Sequence, residues 1–266
     1  MQQVLRNALI AEKICEVDNS DNYRIQNPYS GQPTATTQAV AGTYSVSAWT
    51  LTDDTLTVTD EIVYAEQIFN FESVMNNFDL FADRMDNQNY AVAHAIDVYV
   101  LNSLGTNATG TYTTPAGGFT TPSNIAKIMG DCIGKVMGFA QVYKGLFLVI
   151  ENTDVTGFIQ TQVASGFSYA DAALNNGFMQ SYMGVDIYVA RSGTFQTASL
   201  GSISVTMSGK RLFGVKNVST YASPRGVQFI EKEVSGKTGK EVATVGLIGH
   251  KLWTQNAGLT VAITLA

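Results

Sequence analysis

The feature that most limits what this chain can fold into is a long helical period directly after a lysine-free, Thr-rich stretch. Between Asn76 and Leu104, apolar residues fall at Phe78, Phe81, Met85, Val92, Ile96 and Tyr99. Such spacings gather on one side of a helix. At 1.5 Å per residue the helix is about 40 Å long, against a usual ~11–12 residues. A single helix of this length predicts a spine across which other elements lie. Asn76 or Asn77 can cap its start with Asp79 in the first turn, and Gly105 is placed to end it. The polar run Asp86-Asn87-Gln88-Asn89 marks a bend or an exposed middle.

The segments before the helix point outside the subunit. Residues 1–16 predict a short helix with Val4, Leu5, Ala8 and Leu9 on one side. Residues 17–43, with Pro28 and Pro33, read as an extended arm. So long an irregular stretch within a compact domain implies function or a partner. Residues 44–70 read as β: Tyr44, Val46 and Ala48, then Leu56 and Val58, alternate with polar residues. Asp53-Asp54 and Asp60-Glu61 are turn candidates in a projecting hairpin, which needs packing on something else.

After the helix, residues 105–120 form a Gly/Thr/Ala loop. Thr121-Pro122-Ser123 starts a second helix, and Ile125, Ile128, Met129, Cys132, Ile133 and Val136 carry it to about Phe139. Ala126, Gly130, Gly134 and Gly138 recur four apart, which predicts close backbone packing against a sheet or helix. Leu146–Ile150 reads as a buried strand, Asn152-Thr153-Asp154 as the start of a helix to about Val163. Residues 185–189 and 203–207 read as strands, making 112–208 a compact α/β module. The tail is mostly β: Val227, Phe229 and Val242 flank an exposed basic tip at 235–240, and Leu259, Val261, Ile263 and Leu265 alternate.

Charge narrows the function. The net charge is −6, with 14% charged residues in all, well below the usual ~25%. Residues 1–106 hold fourteen acids and four bases, residues 107–266 eight acids and twelve bases. No Lys or Arg occurs between Arg24 and Arg84, whereas eight acids do. An acidic arm meeting the basic half of an adjacent copy is the sharper reading, and a solvated acidic face the plainer one. Sequence-specific nucleic-acid binding is a poor fit to an acidic chain.

Catalytic chemistry finds little footing. The two histidines, His94 and His250, sit in a helix and a β-rich stretch and read as structural. No HExxH, CxxC or GxSxG pattern occurs, so no metal, cofactor or catalytic residues are assigned. Gly236-Lys237-Thr238 lacks the earlier glycine of a phosphate loop, that position being Glu231. Cys15 and Cys132 offer no disulfide framework. The first residues lack a secretory pattern and no apolar run approaches membrane-span length, so the expectation is a soluble protein made in a reducing cytoplasm.

The order of elements then becomes telling. Leu56-Thr57-Val58-Thr59-Asp60-Glu61 leads into Phe78-Asp79-Leu80-Phe81 and Ala95-Ile96-Asp97-Val98-Tyr99-Val100-Leu101. Residues 148–154, Leu-Val-Ile-Glu-Asn-Thr-Asp, and 183–189, Met-Gly-Val-Asp-Ile-Tyr-Val, follow. This order resembles the major capsid proteins of tailed bacteriophages, the Hong Kong 97-type coat fold. The resemblance implies an α+β chain divided as follows: N-terminal arm 1–44, E-loop hairpin 45–71, P-domain 72–111 and 209–266 with spine helix 76–104, and α/β A-domain 112–208. It implies a non-enzymatic shell subunit forming pentamers and hexamers of an icosahedral virion head, assembled in the host cytoplasm around double-stranded DNA without sequence specificity. Portal, scaffolding and decoration proteins are the family's further partners, and a membrane is not. Inter-subunit contact candidates are Asp53, Asp54, Asp60, Glu61 and Glu66 against Lys210, Arg211, Lys216 and Arg225. Some family members cross-link through an E-loop lysine, but residues 45–71 contain none, so a non-covalent shell is expected. No long scaffold-like segment begins the chain, leaving a separate scaffold or cleavage ahead of residue 1 as alternatives. Competing readings are another virion part, such as a tail or decoration protein, and an enzyme or carbohydrate-binding module with an unrecognised site.

Overall fold

The computed structural model describes residues 9–30, 37, 40, 42, 48, 50–69, 80–140, 145–164, 178–233 and 239–266. Among these residues the chain opens with a short helix, α1 (Ile10–Ile14). Strands β1 (Glu16–Asp18), β2 (Arg24–Gln26), β3 (Tyr29–Ser30), β4 (Leu51–Thr52), β5 (Thr55–Thr57) and β6 (Asp60–Phe69) follow. Next come the long helix α2 (Leu80–Thr106), β7 (Gly110–Thr113) and α3 (Pro122–Phe139). β8 (Leu146–Glu151) leads through a 3-10 turn into α4 (Val155–Ala164). The remainder is β apart from a 3-10 helix at Thr254–Leu259: β9 (Phe178–Tyr182), β10 (Val185–Ala190), β11 (Thr197–Leu200), β12 (Ile203–Thr206), β13 (Lys210–Val215), β14 (Ser219–Ala222), β15 (Val227–Glu233), β16 (Gly239–Leu252) and β17 (Thr260–Thr264).

The helix α2 is continuous through the polar run, where Asp86, Asn87 and Asn89 are exposed and only Gln88 turns inward. Val92, Ile96, Tyr99, Val100, Leu101 and Leu104 are buried, as the period predicts. Its expected start and the side chains of Phe78 and Phe81 lie outside the described residues. Gly105 does not end the helix, which runs on to Thr106. Its value is clearance instead: a Cβ there would lie 2.3 Å from Met207 Cε.

Two sheets share α2. The first has the order β1-β14-β16-β15, with β6 on the other side of β16 over the register Ile248↔Asp60 to Gly239↔Phe69. The second has the order β7-β17-β13-β8-β10-β9. In β8, residues 146–150 are all buried, the mark of a strand covered on both faces. The fourfold-spaced anchors Ile125, Ile128, Met129, Cys132 and Val136 of α3 are buried, and α3 lies along α4, β17, β13 and β7. Glu151 and Asp154 form a reciprocal capping box that starts the turn into α4.

Several expectations change. Residues 105–120 are not all loop, since β7 pairs in parallel with β17, and Gly110 admits the Thr260 carbonyl where a Cβ would sit at 2.7 Å. The module does not stop at residue 208: β13 and β17 of the return strands lie inside its sheet, while β11 and β12 form a separate hairpin. The stretch 17–43 is not an unstructured arm throughout. Arg24↔Thr57, Ile25↔Leu56, Gln26↔Thr55, Tyr29↔Thr52 and Ser30↔Leu51 pair antiparallel, so it supplies one leg of the hairpin. The expected strand over Tyr44 to Val46, the helix over residues 1–8 and most of the basic tip at 235–240 lie outside the described residues. Asp60-Glu61 is no turn but the start of β6. The small-residue face of α3 is exposed, and a Cβ at Gly130, Gly134 or Gly138 would meet nothing within 4 Å.

Candidate assembly surfaces

The nine contact candidates divide into those used inside the subunit and those facing outward. Asp60 is buried at the root of β6. Tyr99 donates its hydroxyl to Asp60 Oδ2 at 2.5 Å, Ser202 Oγ donates at 2.7 Å, and Ser202 N donates to Oδ1 at 2.6 Å. Burial pushes this carboxyl up, but the three donors outweigh it and leave it below the usual range. Asp54 is likewise buried, ion-paired with Lys251 and accepting from Thr254 N at 2.8 Å. Arg211 is buried between Asp154 and Glu151, the latter at 3.1 Å. These three hold elements of one subunit together.

Glu66 reaches Arg84 of α2 at 3.2 Å across a half-exposed contact. Lys216 donates to Asp186 at 2.6 Å and to Tyr188 at 2.8 Å. Asp53, Glu61 and Arg225 are exposed, Lys210 is half-buried, and none of the four makes an ion pair among the described residues. Arg225 sits at φ 64 in the turn before β15, an orientation unusual for a non-glycine residue.

A second surface was not read from the sequence. Where β6, β16 and β15 run side by side, α2 lies over one face of β16 and the adjoining part of β6 but leaves β15 uncovered: Thr244 donates to Gln88 at 3.1 Å, and Val242 is fully buried. The opposite face carries Val63 and Ala65 of β6, Ala243 and Val245 of β16 and Ile230 of β15. Val63 is 53% and Ile230 49% exposed. All seven residues of β15 are exposed. The sequence carries no alternation here, Ile62-Val63-Tyr64-Ala65 being an unbroken apolar run, and it is the pairing of β6 with β16 that puts Asp60 and Ile62 on the opposite side from Val63 and Ala65. Beside it, a cavity of about 350 Å³ opens between α2, the root of β6 and the β11–β12 hairpin, lined by Glu61, Ala91, His94, Val98 and Leu200.

Among the described residues no group of His, Cys, Asp or Glu could hold a metal ion. His250 is buried with Nδ1 2.9 Å from Ser103 Oγ, and burial takes its imidazole down to about 3. Cys15 and Cys132 are buried free thiols, pushed up to about 12 by burial. Among the described residues no helix is long and apolar enough to cross a membrane.

No protein-family model and no curated sequence matches the chain. Solved structures do. A capsid chain of the cyanophage P-SCSP1u superposes with TM-score 0.75 at 13% identity, covering 100% of this chain and 90% of that one. A chain of Mycobacterium phage Che8 gives TM-score 0.75 at 12% identity, covering 99% and 93%. A chain from the capsid of an empty GTA particle gives 0.73 at 15% identity, covering 100% and 92%. The likeness covers nearly the whole chain, and at such identities it is a likeness of fold: the chain adopts the Hong Kong 97-type fold of phage capsid proteins.

Proposed function

We propose that this protein is the major coat subunit of a tailed-phage head. Its copies form pentamers and hexamers of an icosahedral shell in the host cytoplasm, around double-stranded DNA held without sequence specificity. The observation that carries this reading is whole-chain similarity to chains from capsids. Supporting it, the outer face of β6-β16-β15, with Val63 53% and Ile230 49% exposed, is a surface that a lone subunit leaves uncovered. Contacts repeated over many copies need little strength each, since avidity multiplies them. The role is structural rather than catalytic, and portal, scaffolding and decoration proteins are its natural partners. With no lysine in 45–71, neighbouring copies join without covalent links.

Electron microscopy of the purified protein tests the reading. Shells, sheets or ring-shaped capsomers are the expected result. A monomer that persists across concentration and salt, alone and with its co-expressed virion proteins, would overturn it. Covalent ladders from isolated particles on a denaturing gel would remove the non-covalent part alone.

A further inference from the structure

In the first sheet, β15 is an edge. It pairs with β16 in unbroken antiparallel register from Val227↔Gly246 to Glu233↔Lys240, and among the described residues no strand lies on its other side. Open edge strands are normally short, bulged or interrupted by proline. β15 has seven residues, no bulge in its register and no proline, and every residue is exposed, with Val227 at 47% and Ile230 at 49%. The backbone N–H and C=O groups along such an edge are a template for another strand. On the outer face, Ile230 ends an apolar row that crosses the sheet through Ala243 and Ala65. The charges of β15 lie toward one end, at Glu231, Lys232 and Glu233, and Glu231 is ion-paired with Lys240 of β16.

We propose that β15 pairs antiparallel with β15 of a second copy across a two-fold axis at Ile230, so that the strand order β6-β16-β15 continues into its own image. The symmetry limits the register. A two-fold axis perpendicular to the sheet keeps each residue on its own face, so one residue of β15 must oppose itself. Centred on Ile230, all seven residues find a partner: Val227 opposes Glu233, Gln228 opposes Lys232 and Phe229 opposes Glu231. No two like charges stand directly opposite, and the row Ala65-Ala243-Ile230 runs on into its image. Centred on Glu231, five residues remain paired and a carboxylate opposes itself, which is unfavourable. Centred on Phe229, five residues again remain paired, and Lys232 and Glu233 overhang. Charge also favours this edge over β6, the sheet's other edge among the described residues. β6 carries Asp60, Glu61 and Glu66 and no base, so pairing it with itself or with β15 sets acids against acids. A single edge of about 23 Å is a small contact beside stable interfaces of about 1,200–2,000 Å². It therefore acts by repetition, and in this it rests on the reading that copies form shells.

Cysteine trapping on the full chain tests the pairing, since the native Cys15 and Cys132 are buried. Opposed residues of an antiparallel pair have Cα atoms about 4.5–5.5 Å apart, within disulfide reach. Ile230→Cys, treated with oxidised glutathione, should therefore give an intermolecular dimer on a non-reducing denaturing gel. Ala65 is exposed on the same row, but the strands between would part the two copies' residues by about 24 Å. Ala65→Cys should accordingly stay monomeric. Gln228→Cys and Lys232→Cys should each stay monomeric alone and form a dimer when the two proteins are mixed before oxidation. No dimer at Ile230→Cys overturns the proposal, as does an equal yield at Ala65→Cys or the lack of a mixed dimer between Gln228→Cys and Lys232→Cys. Electron microscopy of the same samples keeps the two readings apart. Particles without the Ile230→Cys dimer would reject the strand pairing and leave the shell standing, and the dimer without particles would do the reverse.

Discussion

Single polar residues inside this fold are set by partners far away in sequence. Asp60 shows it: its donors lie 39 and 142 residues on. The dipeptide Asp60-Glu61 has turn composition, and only the pairing of β6 with β16 makes it a strand root. Local propensity lost to tertiary pairing there. Asp60→Ala should cost about 2–3 kcal/mol, since it strands the buried Tyr99 hydroxyl as well as removing a carboxylate. Denaturant unfolding measures this, and a loss below about 0.5 kcal/mol would contradict the network. His250 gives a pH test. Its imidazole titrates near 3 in the fold against 6.5 unfolded. The unfolded chain takes up the proton first, so this stability is complete above pH 6.5 and is lost as pH falls toward 3. Between pH 7.5 and 5 the loss is about 2 kcal/mol, partly offset by Asp97, whose carboxyl desolvation in the fold raises to about 6 and whose effect on stability therefore has the opposite sign. Asp97→Asn should therefore show a steeper acid loss than the wild type in unfolding curves at the two pH values. An identical slope would refute the opposition.

At the scale of elements, periodicity was the dependable signal. The α2 residues Val92, Ile96 and Tyr99, the α3 residues Ile125, Ile128, Met129, Cys132 and Val136 and the apolar run of β8 end up buried as their spacing requires, while Met85 and Ile133 are half-buried. What periodicity lacks is the identity of the neighbour. The two legs of the N-terminal hairpin are separated by a long uncharged stretch, with no Asp, Glu, Lys or Arg between Arg24 and Asp53. Alternation over so few residues does not specify register. The glycines make the same point. Spacing of four on α3 looked like backbone packing, yet those positions open outward, whereas Gly157 on α4 is tight: a Cβ would fall 1.9 Å from the Phe119 carbonyl oxygen. Opposite outcomes follow. Gly130→Ala and Gly134→Ala should each stabilise the isolated subunit by about 1 kcal/mol through helix propensity. Gly157→Ala should destabilise it by about 2 kcal/mol or more, because a backbone carbonyl cannot swing aside as a side chain can. Thermal melts of the three variants decide it, and equal shifts of one sign would show the helix packing to be wrongly described.

For the whole molecule, the question is which charges remain for a neighbour once the subunit has used its own. Sequence composition divides the chain into an acidic first part and a basic remainder, and that asymmetry invites pairing between copies. Folding removes Asp54, Asp60 and Arg211 from the account, engages Glu66 and Lys216 locally, and leaves Asp53 and Glu61 against Lys210 and Arg225. Exposed pairs are worth at most about 1 kcal/mol each and are screened by salt. Repeated at every contact of the proposed shell, such a term would shift the concentration at which particles form, about fivefold per kcal/mol for each subunit. Glu61→Lys combined with Asp53→Lys should therefore raise the assembly threshold at low salt, leave the unfolding curve unchanged, and lose most of its effect at about 0.5 M salt. Asp60→Lys should behave differently, failing at the level of the fold because it places an ammonium group among Tyr99 and Ser202. Light scattering against protein concentration, beside denaturant unfolding of the same samples, separates the two. A threshold unmoved by Glu61→Lys and Asp53→Lys at low salt would mean that the outward acids merely solvate the surface. Neutral contacts, such as the apolar outer face of β6-β16-β15, would then be left to hold copies together.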